Sequence, residues 1–225
     1  ARSVFMGSII LSCPTLKKEL QHALAVYQCS TPVYYLPQEL HNNPSKLHEY
    51  LQTTIDSFDN IDKIMICVSG CGGGTIGLQA TNSQLIVPKT RDCIDILLSG
   101  DILEEIYRPE KGIFFTESWM NFSKNSSLDL NKQIEQKGYQ AAAEYMRRLF
   151  KGFEHFYIID TGVYDIKEVQ FYIEPLVEIL NGTITLLKGD YQILHKMVLE
   201  KFDDDFIIVP KGSMVSKTDF DKKFL

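Results

Sequence analysis

Three cysteines and one histidine lie where the predicted strands of this sequence end, and all four are residue types that bind metals. Cys13 follows the first apolar run, Cys71 the third and Cys93 the fourth, while His41 lies in the loop after the second. Ligands of open parallel sheets bind outside the carboxyl ends of the strands, so we expect these side chains to converge on one rim. Thiolates are soft ligands that suit zinc, iron or an iron–sulfur cluster. The placement therefore predicts a metal centre held by Cys13, Cys71 and Cys93, with His41 as fourth ligand or as a partner of a ligand.

A packing role for the cysteines is the alternative. Their spacing matches no local zinc-finger signature, and an unpaired cysteine is often a small apolar core residue. The chain has five cysteines, and an odd number without paired spacing or a recognisable signal peptide favours reduced thiols in a cytoplasmic protein. Cys29 and Cys67 lie in or near apolar segments and are predicted to be structural.

The stretch ICVSGCGGGTIGL, residues 66–78, places glycines directly after a strand. The dinucleotide fingerprint fits in one frame, but no acidic residue ends a strand about 20 residues further on, and no Lys-Ser/Thr pair completes a Walker loop. We expect instead that Gly72, Gly73 and Gly74 bring the backbone close to a ligand or hold positive φ angles, with Thr75 beside them. A tight corner without a ligand is the alternative.

Other candidate ligand-binding residues also follow strands. Arg91 is suited to bind an anionic group with Asp92 orienting its guanidinium, although Asp92 is equally suited to cap the helix that follows. Trp119 is suited to stack on a planar ligand or to belong to the core. Asn42, next to His41, is a further polar candidate. No nucleophile elbow, H-E-x-x-H motif or Ser-His-Asp arrangement is present, so no standard hydrolase mechanism is legible.

The motif DTGVYD follows a later strand and supplies Asp160, Thr161 and Gly162. We expect Asp160 to face a cleft from a second lobe, with Thr161 and Gly162 in the same loop. Asp165 is expected to cap the helix that begins at residue 166.

The elements that must position these residues alternate between apolar strands and amphipathic helices. This order predicts an α/β protein with a parallel, Rossmann-like sheet that is covered on both faces. The longest helix is predicted over 129–150, and a polar loop is predicted near 121–127. The predicted strands cover 3–12, 32–37, 63–69, 84–89, 112–118, 155–160, 183–189 and 206–212.

Length and charge limit the possible functions. A chain of 225 residues with 44% apolar content can form one large domain or two smaller lobes. The polar loop favours two lobes, 1–118 with the Cys/His rim and 119–225, with a cleft between them. A net charge of -6 argues against a nucleic-acid surface, and no apolar run reaches the roughly 18 residues that span a membrane.

Seven segments of the sequence together resemble the family called domain of unknown function 1638, over nearly the whole chain. They are LSCPTLKKEL, YYLPQELHNNPSKL, VSGCGGGTIGL, LIVPKTRDCIDILL, GIFFTESW, YIIDTGVYD and FIIVPKG. The residues that match the family pattern are Cys13, Leu40, His41, Asn42, Pro44, Cys71, Gly72, Gly74, Asp92, Cys93, Trp119, Asp160, Thr161 and Gly162. The chain departs from the pattern at Gly73, where asparagine is usual, at Arg91, where histidine is usual, and at Glu117-Ser118.

The resemblance implies a place in anaerobic one-carbon metabolism, because members of that family often accompany corrinoid-dependent methyltransferase systems. It implies a small-molecule or tetrapyrrole ligand, with cobalamin (a corrinoid) or a Cys-bound zinc or iron–sulfur centre as cofactor, and a corrinoid protein or methyltransferase as partner. Three functions stay open: a corrinoid- or metal-binding accessory protein, a metal-dependent enzyme of the methyltransferase kind, and an interaction subunit without a small ligand. The corrinoid motif D-x-H-x-x-G is absent, which counts against conventional base-off binding of cobalamin.

Overall fold

The computed structural model describes residues 6–40, 43–68, 73–124 and 126–220. Strands and helices alternate along most of this part of the chain, as the sequence pattern predicts. In chain order they are β1 (Met6–Ser12), α1 (Lys17–Val26), β2 (Val33–Tyr35), α2 (Pro44–Asp56), β3 (Ile61–Cys67), β4 (Gln84–Pro88), α3 (Cys93–Leu98), β5 (Ile113–Phe115), α4 (Glu117–Ser123), α5 (Leu130–Lys137), α6 (Tyr139–Leu149), β6 (His155–Asp160), α7 (Ile166–Ile179), β7 (Thr183–Lys188), α8 (Gln192–Val198) and β8 (Phe206–Val209).

The strands form two sheets, with the orders β2-β1-β3-β4-β8 and β5-β6-β7. All neighbours pair in parallel except β4 and β8. The α/β, Rossmann-like class is therefore confirmed. Strand β8 is the exception within this parallel architecture, because it pairs antiparallel to β4 with Leu85 opposite Val209.

The chain divides into two compact units, and the division differs from the predicted lobes. One unit comprises Ala1–Ile106 and Tyr191–Leu225, and the other comprises Tyr107–Asp190. The predicted lobes were 1–118 and 119–225. Strand pairing explains the difference, because β5 hydrogen-bonds to β6 in the second sheet, whereas β8 returns to β4 in the first.

The core of the first unit lies against its central strands. Ile10 and Leu11 of β1 and Ile64 and Ile66 of β3 are fully buried, as strands covered on both faces require. Helix α2 buries its apolar stripe of Leu47, Leu51 and Ile55 at a spacing of four residues. Pro44 occupies the first turn of α2, where its missing N–H is tolerated, and the Asn43 side chain caps the helix by accepting from the Lys46 amide.

The core of the second unit joins β5 and β6 to α4 and α7. Phe115, Phe156, Ile158 and Ile173 are buried together there. The predicted polar loop near 121–127 is wrong in its first part, because α4 continues to Ser123, with the Thr116 hydroxyl accepting the Trp119 amide at its start.

The predicted long helix over 129–150 is two helices. Gly138 separates α5 from α6 with φ of 79° and ψ of 162°, a conformation that is essentially restricted to glycine. The longest described helix is therefore α7. Among the described helices, none combines the length and the apolar character that crossing a bilayer requires.

Candidate functional site

The carboxyl ends of β2, β1 and β3 form the rim at which the sequence predicts a site. Ser12 lies opposite Tyr35 in one pairing and opposite Cys67 in the other. Paired residues of parallel strands point to the same face, so Tyr35, Ser12 and Cys67 form one polar row across three strands. Cys13 follows directly, and its amide donates to the Cys67 carbonyl oxygen over 3.3 Å.

Cys13 is buried at this rim. Its Sγ atom lies 3.0 Å from the Thr15 hydroxyl, and the adjacent Ser12 hydroxyl donates to the Cys13 carbonyl oxygen over 3.1 Å. Burial raises the pKa of the Cys13 thiol, and the hydrogen bonds with Thr15 only partly oppose that rise. With its pKa raised in this way, the Cys13 thiol is protonated at neutral pH.

Cys67 belongs to the same cluster, which the sequence analysis missed. Its side chain has no exposure, and burial raises the pKa of its thiol to about 12, with a hydrogen bond from Ser12 opposing the rise and the nearby Cys13 adding to it. The backbones of the two cysteines are adjacent, because the Cys67 carbonyl oxygen accepts the Cys13 amide. Cys67 lies inside the apolar run from Ile64 to Val68, and nothing local distinguishes it from a core residue there.

Tyr35 completes the row. Its hydroxyl is buried and finds no hydrogen-bond partner within the described part of the chain. Burial, reinforced by the neighbouring Cys67, raises the pKa of Tyr35 to about 12. The Lys17 ammonium lies 5.5 Å from the centre of the Tyr35 ring. A buried hydroxyl without a partner is a group available to hydrogen-bond a bound molecule.

A small apolar pocket opens beside Cys13. Its volume is about 270 Å³ when the open space at its entrance is included. The residues that line it are Cys13, Pro14, Leu36, Pro37, Leu40, Leu47 and Val68. Because these residues come from the ends of β1, β2 and β3 and from α2, the pocket lies on the predicted rim. Among the described lining residues, Cys13 alone has metal-binding or nucleophilic chemistry.

The described part of the glycine turn packs tightly against α2. Gly73 has φ of +89°, which agrees with the expectation of a positive φ. A Cβ atom on Gly74 would lie 3.1 Å from the Leu47 side chain, and the Gly74 carbonyl oxygen lies 3.2 Å from the His48 ring. Thr75 is fully buried, and its hydroxyl has no hydrogen-bond partner among the described residues. The turn therefore packs firmly on α2, and the Thr75 hydroxyl is available to hydrogen-bond a further group.

Arg91 and Asp92 have separate roles. The Arg91 guanidinium donates to both carboxylate oxygens of buried Asp95, over 2.7 and 2.8 Å, so its described partner is Asp95 and not Asp92. Asp92 caps α3 by accepting from the amides of Ile94 and Asp95. The capping alternative is therefore confirmed for Asp92.

Cys93 is buried as the first residue of α3. Helix α3 packs against the short 3-10 turn Pro14–Leu16, which follows Cys13. The fold therefore brings the segments that carry Cys93 and Cys13 next to each other, although their strands β4 and β1 are separated by β3.

The remaining predicted residues lie in the second unit. Trp119 packs in its core, edge to face with Phe115 at 5.2 Å between ring centres. The Asp160 carboxylate accepts the Gly162 amide over 3.0 Å in a turn where Gly162 has φ of +73°, and Thr161 is buried beside it. Asp165 caps α7, as expected, by accepting from the Lys167 amide.

Four predicted residues, His41, Asn42, Cys71 and Gly72, lie outside the described residues. Within the described ranges, no group of three or more His, Cys, Asp or Glu side chains is arranged to hold a metal ion. A centre held by Cys13, Cys71, Cys93 and His41 therefore stays a prediction, with its two described thiols, Cys13 and Cys93, on adjacent segments.

Comparison with known proteins gives one match. The model of the family described as "Protein of unknown function (DUF1638)" matches residues 35–198, which is more than half of the 225-residue chain. No curated protein matches the chain, and no solved structure matches it.

Proposed function

We propose that this protein, which belongs to the DUF1638 family, binds a metal at the rim of its first sheet through cysteine thiolates. We further propose that it serves corrinoid-dependent methyl transfer as an accessory protein, with a corrinoid protein or a methyltransferase as partner. The packing of α3 on the turn after Cys13 carries the metal proposal, because it places the segments bearing Cys93 and Cys13 side by side. The family resemblance supports the methyl-transfer context.

The chemistry of the rim suits a metal better than a corrinoid. The described pocket is apolar, and its enclosed space of about 10 Å³ is roughly what one water molecule requires. A corrinoid macrocycle is much larger than this pocket and does not fit the described residues. Two buried thiols, by contrast, are suitable donors for zinc or for an iron–sulfur cluster. Cys71 and His41 would complete the ligand set.

A metal-dependent enzyme of the methyltransferase kind is the second candidate, favoured by the apolar pocket beside Cys13. Leu36, Leu40, Leu47 and Val68 line this pocket and would exclude water from a small substrate group at the thiol. A bound zinc ion would supply a Lewis acid there. In this case the protein turns over substrate, whereas an accessory protein only binds.

The described cysteines support a cytoplasmic location. Cys13, Cys29, Cys67 and Cys93 form no disulfide, and reduced thiols are typical of that compartment. A soft-metal site also requires thiols that are not oxidised.

Metal analysis of anaerobically purified protein tests the proposal. We expect about one equivalent of a single centre per chain, lost in Cys13→Ala and Cys93→Ala, and retained in Cys29→Ala as the matched control. The visible spectrum distinguishes an iron–sulfur cluster, which absorbs, from zinc, which does not. Equal metal content in all four proteins, or no metal in the wild type, would exclude the proposed site.

A further inference from the structure

Strand β7 forms an exposed edge of the second sheet. Among the described strands the order of this sheet is β5-β6-β7, so β7 has a neighbouring strand on one side only. All residues of Thr183–Lys188 are exposed or partly exposed, and Leu186 keeps 54% of its surface accessible. An edge strand presents a row of backbone N–H and C=O groups that can pair with a further strand. Strand β7 is therefore a candidate interaction surface.

Two hydrogen bonds determine which backbone groups of β7 point away from the sheet. The Thr183 amide donates to the Glu154 carbonyl oxygen over 2.9 Å, and the Gly189 amide donates to the Asp160 carbonyl oxygen over 2.8 Å. Because every second residue of a strand faces the same neighbour, the odd-numbered residues of β7 hydrogen-bond to β6. The N–H and C=O groups of the even-numbered residues therefore point outward. These residues are Ile184, Leu186 and Lys188.

The other edges among the described strands are shorter than β7. Strands β2 and β5 have three residues each, and β8 has four. Short edge strands and charged side chains are two means by which proteins prevent pairing at an edge. Strand β7 has six residues, and its only charged side chain is Lys188 at its last position. Of these edges, β7 is therefore the one best suited to pair with another strand.

The side chains of β7 suit antiparallel pairing with a second copy of the same strand. In parallel pairing without an offset, the two Lys188 side chains would lie opposite each other, which is destabilising. In an antiparallel pair centred on Leu186, Lys188 of one copy lies opposite Ile184 of the other, and Thr185 lies opposite Leu187. The exposed Leu186 side chain then meets its own copy on a two-fold axis. Such an interface is self-complementary and closes as a dimer.

From this geometry we infer that two copies of the chain associate through β7, paired antiparallel about a two-fold axis at Leu186. The two three-stranded sheets then form one continuous sheet. Because the N–H and C=O groups of Leu186 point outward, the two Leu186 residues exchange both of their backbone hydrogen bonds. The inference rests on the edge of the second sheet and does not depend on the proposed metal site.

Sedimentation velocity of the full-length protein, from micromolar to submillimolar concentration, tests the inference. We expect a reversible dimer. Leu186→Pro removes an N–H group that donates to the second copy and not to β6, so the fold should be retained. Both hydrogen bonds of the central pair are lost, and the dissociation constant should rise at least about 10-fold. Leu186→Lys places two like charges opposite each other on the axis and should also dissociate the dimer.

Ile208→Lys is the matched control, because it replaces an exposed apolar residue on β8, an edge strand of the first sheet. Its dimer should equal that of the wild type. Amide hydrogen exchange followed by NMR locates the interface: the Leu186 amide should be protected in the dimer and exposed on dilution, whereas the Thr185 amide, which donates to β6, should be protected in both. A wild type that stays monomeric overturns the inference. So does a dimer that persists in folded Leu186→Lys, or one whose Leu186 amide exchanges freely.

Discussion

The Arg91 guanidinium and the fully buried Asp95 carboxylate, four residues apart in the chain, form a bidentate ion pair at the start of α3. The same carboxylate also accepts the Arg91 amide over 2.9 Å. About a third of the Arg91 side chain is exposed, whereas none of Asp95 is. Arg91 therefore neutralises a carboxylate that is buried in the first turn of the helix beginning at Cys93.

Removing Arg91 should therefore destabilise the protein strongly. In Arg91→Ala, the Asp95 carboxylate stays buried without its main counter-charge, and we expect a loss of about 3 kcal/mol in the free energy of unfolding. Urea denaturation measures the loss. Arg148→Ala, at an exposed position of α6, is the control and should change stability by less than about 0.5 kcal/mol. Equal stability of both variants would mean that Asp95 is not charged in the folded protein.

Gly74 should not tolerate a side chain. A Cβ atom at this position would lie 3.1 Å from Leu47 Cδ2 and 3.3 Å from the Pro44 carbonyl oxygen. Because the carbonyl belongs to the rigid start of α2, we expect Gly74→Ala to lower the free energy of unfolding by about 1–3 kcal/mol. Gly7→Ala, where nothing lies within 4 Å of the added atom, is the control for the loss of a glycine. A Gly74→Ala variant as stable as Gly7→Ala would show that the glycine turn moves away from α2 without cost.

Gly138 should be required for a different reason, its backbone conformation. A Cβ atom there meets nothing within 4 Å, but φ of 79° with ψ of 162° is strained for any other residue. We expect Gly138→Ala to cost about 1–3 kcal/mol. Gly100→Ala, which also has open space and no positive φ, separates backbone strain from the general effect of replacing glycine. If both variants unfold at the same urea concentration, α5 and α6 can adjust around residue 138.

The ion pairs of Lys196 with Asp203 and Asp205 should make stability depend on pH. The Lys196 ammonium lies 2.8 Å from Asp203 and 2.5 Å from Asp205. Burial alone would raise the pKa of Asp203, but hydrogen bonds from Lys196 and from the Asp205 amide outweigh burial and lower it. For a lowered carboxyl pKa, the stabilisation is present above the unfolded value, about 3.9, and is lost as pH falls through the folded value.

At alkaline pH, the effect of pH on stability has the opposite sign. Burial alone would lower the pKa of Lys196, but the hydrogen bonds that its ammonium donates to Asp203 and Asp205 outweigh burial and raise it. The stabilisation is therefore complete below the unfolded pKa of about 10.4 and is lost as pH rises through the folded value. We expect the stability difference between the wild type and Lys196→Met to be constant from pH 5 to pH 9 and to shrink outside that window. A difference that does not change between pH 3 and pH 6 would contradict the assigned ion pair.

Local patterns identified the elements well, and long-range pairing explains where they failed. The predicted strand over 155–160 is the whole of β6, because the apolar run from Phe156 to Ile159 is typical of a parallel strand covered on both faces. Nothing local in 206–209 distinguishes a parallel from an antiparallel strand, so the sequence pattern does not predict that β8 runs antiparallel to β4. Gly138 was visible in the sequence, but a single glycine inside a periodic pattern is compatible with either a continuous or a divided helix.

The same reasoning from local patterns predicts only part of the rim. The place of Cys13 directly after β1 predicts a position on the rim, whereas the apolar run around Cys67 predicts a core residue, although the Cys67 carbonyl oxygen accepts the Cys13 amide. The register of the strands explains why Cys67 belongs to the rim. Ser12, Tyr35 and Cys67 share one row only because β1, β2 and β3 end at the same level of the sheet. Strand register depends on turns and packing across the sheet, so this alignment was not readable from the separate segments.

The buried thiols of the rim should resist alkylation in the folded protein. With a pKa of about 12, Cys67 has a thiolate fraction at pH 8 roughly a thousandfold below that of an ordinary cysteine of pKa about 8.5, and only the thiolate reacts. Cys29 is partly exposed and serves as the internal control. We expect iodoacetamide, followed by peptide mass spectrometry, to modify Cys29 first and Cys67 only on the timescale of unfolding. In urea the two should react at similar rates, which shows that folding causes the difference. Equal rates in native buffer would mean that the carboxyl ends of β1 and β3 open readily, and that the rim is not a closed site.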